Sequence, residues 1–393
     1  MKRKQKIQLI ALAVLAFLAI FLSLPQNRYI VKALIYQQVN IDDYKIFHNR
    51  TVRMGQSQPW KISPQYNHYQ LSDKQLEYFE RYKTVAYLVV KDTAILYESY
   101  WDGYGSDSYS NSFSMAKSIV SLLVGCALQD GYIRSIDQPV ADFLPEFRQD
   151  GRDKITIKHL LTMSSGLSWD ESYSTLFSLT TKGYYGNNLA GLVLGQHVVE
   201  EPGKRFMYRS GDTQLLSLVV EKASGETLSD YASKRLWSKI GAEHDALWCL
   251  DRQNGVEKAF CCFNSNARDF ARFGQLVLNQ GTWNGEQLIP KDYLAEALQP
   301  ATYLIDAETG KPCDFYGYQW WRINMDGHEV NYARGLLGQY IFVIPSLNAV
   351  VVRLGHLRGD ETIEGQPEDV YQYLRCGVEI IKQLQIPSEY ERK

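Results

Sequence analysis

Ser114-Met115-Ala116-Lys117-Ser118-Ile119-Val120-Ser121-Leu122-Leu123-Val124 is the stretch on which the reading of this chain turns. Its first four residues form the only Ser-x-x-Lys in the chain, and they open a strongly apolar run. Apolar spacing of three and four continues to Gln129, which predicts a helix over Met115 to Gln129. On a helix, positions i and i+3 share a face, so the Lys117 ammonium falls beside the Ser114 hydroxyl. The helix N-terminus there also favours a developing negative charge. A chain of this length contains about one or two Ser-x-x-Lys tetrads by chance, so context has to decide. A buried apolar helix is a poor place for a lysine unless its charge has a partner or shifts, and a desolvated lysine suits proton transfer.

Outward from this helix the pattern changes to β. Val85 to Lys91 and Ala94 to Trp101 read as two strands joined near Asp92 and Thr93. A second pair, Tyr340 to Ile344 and Ala349 to Leu354, brackets the turn Pro345-Ser346-Leu347-Asn348, and a helix is predicted from about Glu368 to Leu384. Between these outer strands lie helical patterns at Ile157 to Thr162, Gln214 to Ala223, Leu228 to Leu236 and Asn266 to Asn279. Strands near both ends and helices between them predict an α+β fold: one antiparallel sheet closed by both ends of the chain, with an inserted helical subdomain and a cleft at their junction.

Four further segments add to the picture: Ile155 to Leu167 with its Ser164-Ser165-Gly166 turn, Trp169-Asp170-Glu171-Ser172-Tyr173, Pro202-Gly203-Lys204-Arg205-Phe206-Met207-Tyr208-Arg209-Ser210-Gly211-Asp212, and Gly335-Leu336-Leu337-Gly338-Gln339. With Ser114 and Lys117 they resemble, in order, the motifs of the penicillin-recognising, β-lactamase-related serine hydrolases. In its Gly-rich third motif the chain is similar to the 6-aminohexanoate-dimer hydrolase branch. The resemblance covers roughly residues 80 to 385. It implies a β-lactamase/transpeptidase-like fold and acyl transfer in two halves. Tyr208, beside the Lys117 ammonium, is then the base that takes the Ser114 proton, and the N–H groups of Ser114 and Leu336 cradle the oxyanion. It also implies substrate-binding places for Ser210, Tyr173, Asn264 from Cys261 to Gly274, and Gly335. The Lys-Thr-Gly or His-Thr-Gly box of the family is replaced here by Gly335-Leu336-Leu337-Gly338. Arg334, just before it, is the one candidate to replace the missing cation.

The expected reaction is hydrolysis of a small ester or amide, needing no cofactor. A D,D-peptidase and a β-lactamase are the alternatives within the class, and a membrane-tethered binding module that has lost its chemistry is the rival outside it. Intact Ser114, Lys117 and Tyr208 argue against that rival. No Gly-x-Ser-x-Gly, His-Glu-x-x-His or phosphate-loop motif competes, and the seven histidines are scattered, so no metal site is indicated.

The 393 residues are 45% hydrophobic and 22% charged, an ordinary globular balance. Lys2, Arg3, Lys4 and Lys6 are basic; without them 38 basic residues face 44 acidic ones, a net of −6 that excludes a nucleic-acid partner. They precede a nearly unbroken apolar run, Ile7 to Leu24, long enough to span a bilayer core. The expectation is a cytoplasmic segment (1–6), a membrane anchor (7–24), an irregular spacer (25–79) and an extracytoplasmic, periplasmic hydrolase domain (80–387). The alternative is a cleaved signal peptide, but no Ala-x-Ala site follows the run. Six cysteines do not make a disulfide scaffold in so long a chain; in an oxidising compartment Cys249 could pair with Cys261 or Cys262.

Overall fold

The computed structural model describes residues 3–385, so Lys2 and the expected domain end at 387 lie outside the described residues. Six helices organise the molecule: α1 (Arg3–Ser23), α2 (Arg28–Tyr36), α3 (Met115–Gln129), α4 (Ser210–Ser224), α5 (Ala267–Leu278) and α6 (Glu368–Gln385). The main sheet holds seven strands: β1 (Lys61–Ile62), β2 (Thr84–Lys91), β3 (Ala94–Tyr100), β4 (Trp321–Met325), β5 (His328–Gly335), β6 (Gln339–Ile344) and β7 (Ala349–Gly355). Their order is β4-β5-β6-β7-β2-β3-β1, antiparallel except where β1 joins β3 in parallel.

Both expected hairpins form. Asp92 and Thr93 between β2 and β3 have φ of 48° and 64°, the left-handed pair that a tight two-residue hairpin turn requires. Asn348, in the facing turn, donates from Nδ2 to Asp92 Oδ1 at 2.7 Å and accepts the Asp92 N–H at its carbonyl. The two hairpins then zip together, with Val350 opposite Val90 and Val352 opposite Leu88, so both ends of the fold meet in mid-sheet.

Alternation along β2 divides the core. Leu88 and Val90 point to the face covered by α3 and α5, while Tyr87 and Val89 point to the face covered by α6 through Val370, Tyr373 and Leu374. Gln319 joins the helical layer: its Nε2 donates to the Leu160 and Leu161 carbonyls, its Oε1 accepts from Thr213 of α4, and its carbonyl accepts from Ser118 of α3.

Residues 25–79 differ from the expected spacer. Tyr29, Ile30 and Ala33 of α2 pack into the main core, Asn49–Val52 pairs with Ala246–Cys249 in a second sheet, and β1 extends the first. These elements are two to nine residues long, too short for a periodic signal, and they are held by partners up to about two hundred positions away.

Candidate functional site

Ser114 stands at the N-cap position of α3 with its hydroxyl free of any capping hydrogen bond, and the residue before it is held in an uncommon conformation. Phe113 is buried with φ of 43°, and its N–H donates to Asn111 Oδ1 at 2.9 Å. A bulky residue in the left-handed region costs free energy that the surrounding structure must offset, a feature concentrated at functional sites. Leu337 (φ 62°) and Cys262 (φ 69°) are left-handed too, each at or next to a residue that shares a cavity wall with Ser114.

One turn into α3, Lys117 is 1% exposed. Its Nζ donates to Ser114 Oγ at 2.9 Å and to the Phe260 carbonyl at 3.0 Å. Its third direction is closed by the Tyr208 ring, whose centroid lies 4.9 Å away, with Phe260 at 5.7 Å. The ammonium's charge is thus matched by oxygens and ring faces, which answers the burial cost the sequence raised.

Ser114 opens onto a cavity of about 1040 Å³ walled also by Phe113, Tyr173, Ser210, Phe260, Leu336 and Leu337. The expected site residues therefore divide. Ser114, Tyr173, Ser210 and Leu336 share the cavity, and Lys117 and Tyr208 lie against one another next to Ser114.

Gly335 is placed otherwise than expected. A Cβ there would stand 2.1 Å from the Ser112 carbonyl oxygen, so its bare backbone serves the approach of β5 to the Ser112–Ser114 segment, not of a substrate. Asn264 is fully buried, and its Nδ2 donates to the Cys262 carbonyl (2.8 Å) and the Leu247 carbonyl (3.2 Å), tying Phe263–Ser265 to its neighbour outside the cavity wall. Arg334 stacks on Trp321, guanidinium carbon 3.4 Å from the ring centroid, and donates to Gln366 Oε1 at 3.0 Å, while its charge still reaches the Tyr173 hydroxyl of the cavity wall.

Glu171 is the residue that motif reading passed over. Its carboxylate accepts from Trp169 Nε1, from the Ser210 N–H and from Ser210 Oγ, each at 2.7 Å, and from the Tyr173 hydroxyl. It pins the first residue of α4 two positions after Tyr208, and so fixes the segment that carries that ring. Asp212, in the same turn, is fully buried; burial pushes its carboxyl up to about 7, against the Arg209 charge and the Ser165 hydroxyl, which donates at 2.6 Å.

The expected pairing of Cys249 with either later cysteine is not found. Cys261 and Cys262 are bonded to each other, and Cys249 is free and buried. Chain adjacency supplies the partner that spacing arguments overlook. Among the described residues no group of three or more His, Cys, Asp or Glu side chains is placed to hold a metal ion.

Comparison with known proteins gives the family and the fold. The family model described as Beta-lactamase matches residues 76–368. The 6-aminohexanoate-dimer hydrolase of Paenarthrobacter ureafaciens is 26% identical over 289 residues, 69% of this chain and 72% of the relative. A solved Bacillus anthracis structure assigned as a 6-aminohexanoate-dimer hydrolase superposes with a TM-score of 0.74 at 21% identity, over 88% of this chain and 93% of that one. A family VIII carboxylesterase does so at 0.61 and 16%, over 82% and 99%.

Proposed function

This chain belongs to the beta-lactamase family, and on that premise we propose that it is a serine hydrolase that cleaves an ester or open-chain amide through an acyl-enzyme on Ser114. The observation that carries this reading is the 2.9 Å contact between Lys117 Nζ and Ser114 Oγ at the wall of a cavity large enough for a small substrate.

In the first half-reaction the Ser114 hydroxyl proton passes to the Tyr208–Lys117 pair as Oγ attacks the carbonyl carbon. The N–H groups of Ser114 and Leu336 receive the oxyanion, and the alcohol or amine leaves with that proton. Water then attacks the acyl-enzyme, releasing the acid and restoring Ser114. The 26% identical relative is named for hydrolysing a 6-aminohexanoate dimer, two amino acids joined by an open-chain amide, which supports this substrate class. The unit doing this starts near residue 80 and includes α6, with residues 25–79 folded onto it.

α1 is an exposed helix whose apolar part, from Ile7 to Ser23, is about 25 Å long, at the short end of what crosses a bilayer core. We read it as an uncleaved anchor, with the basic residues 1–6 cytoplasmic and the cavity on the other, periplasmic side. A signal sequence has the same length and composition, so the N-terminus of the mature protein separates the two.

The deciding experiment is labelling with a fluorophosphonate probe, followed by mass spectrometry of protein incubated with p-nitrophenyl esters, D-alanyl peptides and penicillins. We expect the label and the acyl group on Ser114. Equal labelling of Ser114→Ala, or none of the wild type, ends the enzyme reading.

A further inference from the structure

The helix that follows the apolar N-terminal segment is also a wall of the Ser114 cavity, and from this juxtaposition we infer that the protein takes its substrates from the membrane surface, as amphiphilic esters or amides with an aliphatic tail. The inference rests on the two readings above, Ser114 as nucleophile and α1 as anchor.

No loose linker separates the two helices. After Ser23 comes one tight turn, Pro25–Asn27, and α2 starts at Arg28. Asn27 Nδ2 donates to the Phe21 carbonyl at 3.0 Å and Arg28 Nε to the Ser23 carbonyl at 3.4 Å, so the turn is tied back to the end of α1. Even with the chain running straight, Ala33 lies within about 18 Å of Ser23: roughly 3.5 Å for Leu24, 2 Å for each residue of the turn and 1.5 Å for each residue of α2. A headgroup layer is itself roughly 5–8 Å thick. Ala33, Tyr36 and the segment Gln37–Asn40 form one wall of the cavity, which therefore begins no more than about 10–13 Å from the lipid headgroups.

The outer face of α2 fits that position. Tyr29, Ile30 and Ala33 face the core, whereas Val31, Leu34 and Ile35, spaced i, i+3, i+4, stand together in solvent at 37, 51 and 66% exposure. Arg28 and Lys32 lie along one edge of this stripe, the Lys32 ammonium 5.9 Å from the Phe47 ring centroid. An apolar stripe edged by cations on a short helix is the pattern of a segment lying in the membrane interface, its cations reaching to the headgroups. A second cavity, of about 600 Å³, begins at Pro25 and Gln26 and gathers Arg28, Lys32 and Lys182, a positive surface on the side where anionic headgroups would lie. Tyr36, Tyr173 and Leu357 line the Ser114 cavity and are exposed, and their rings and side-chain carbons offer apolar surface to an aliphatic tail passing from the bilayer towards Ser114.

The test uses the full chain in vesicles of phosphatidylethanolamine and phosphatidylglycerol, with p-nitrophenyl laurate carried in the vesicles and p-nitrophenyl acetate in solution. We expect kcat/KM on the vesicle-borne ester to exceed that on the soluble one by about tenfold or more. The combined Val31→Ser, Leu34→Ser, Ile35→Ser variant should lose most of that advantage while keeping acetate hydrolysis within about twofold. Equal rates on both esters, or an advantage unchanged in the variant, overturn the inference. Should the triple variant not fold, Ile35→Trp gives a second reading: brominated lipids quench a side chain in the interface, and an unquenched signal overturns the inference as well. Failure of the underlying readings looks different, since a wrong nucleophile leaves Ser114 unlabelled by fluorophosphonate and a cleaved anchor leaves the protein outside the vesicles.

Discussion

Lys117 Nζ stands 2.9 Å from Ser114 Oγ, and the same ammonium is shared with the Phe260 carbonyl, so one cation links the start of α3 to the segment leading into Cys261–Cys262. Both oxygens and the Tyr208 ring hold this ammonium in place, and in the proposed mechanism it serves the serine proton path from there.

The first prediction follows from that shared path. Lys117→Ala and Tyr208→Phe should each slow acylation by about 100-fold or more, in line with general acid–base contributions of ~10² to 10⁴. Because the two act as a unit, the double variant should lose much less than the product of the single losses. Near-normal single-turnover acylation in either single variant removes that residue from the mechanism.

The second concerns the cysteines. Alkylation of the denatured, unreduced protein should modify Cys126, Cys249, Cys313 and Cys376 and leave Cys261 and Cys262 joined. Reduction frees the backbone next to Phe260, the carbonyl that holds Lys117, so acylation should slow on adding reductant and recover on oxidation. Cys249→Ser should respond to reductant as the wild type does. Alkylated Cys261 in the unreduced protein, or a variant insensitive to reductant, contradicts this arrangement.

Local features were legible in the sequence because their causes are local. Ser114 and Lys117 are one helical turn apart, and the turns at Asp92-Thr93 and Pro345 to Asn348 carry their own conformational preferences. What escaped is contact between distant segments. Glu171 meets Ser210 across 39 positions, and nothing in its neighbourhood marks it as the carboxylate that receives the start of α4. Asn49–Val52 finds its partner near residue 247, so its four residues look irregular until that strand is in place. Gly335 was read as room for a substrate, but the group it makes room for is the Ser112 carbonyl. The hairpin of β4 and β5 was within reach, since Asp326-Gly327 between them is a strong turn signal.

The third prediction uses Asp212, whose carboxyl burial raises from about 4 in the unfolded chain to about 7 in the fold. Between those values the native state binds more protons than the unfolded one, so this group's contribution to stability falls as pH rises and is fully lost above about 7. Asp212→Asn cannot ionise. Its stability relative to wild type should therefore rise from pH 5 to pH 8 and then level off, as read from denaturant midpoints at each pH. A difference that stays flat or shrinks over this range refutes the assignment.

The last prediction ranks substrates, and the position of Arg334 decides it. A lysine or histidine at the third motif would offer a positive group to the carboxylate of a β-lactam, but Gly335-Leu336-Leu337-Gly338 supplies only backbone donors and two apolar side chains. Arg334 would have to replace that cation. Its guanidinium instead sits over the Trp321 ring and donates to Gln366, whose Oε1 also accepts the Tyr332 hydroxyl, so both of these partners hold it. Swinging it into the cavity would cost the stacking, a cation–π contact of about 0.5–2 kcal/mol, and a hydrogen bond besides. Left where it is, a β-lactam forgoes a charge-assisted hydrogen bond of ~1.5 to 3 kcal/mol, or about one to two orders of magnitude in rate. We expect kcat/KM for nitrocefin to fall at least about tenfold below that for a short-chain p-nitrophenyl ester. Arg334→Ala should change the nitrocefin value by less than about threefold, since an anchor that never engages cannot be lost. A nitrocefin value that equals the ester's and collapses in Arg334→Ala would make Arg334 the anion anchor and reverse the ranking.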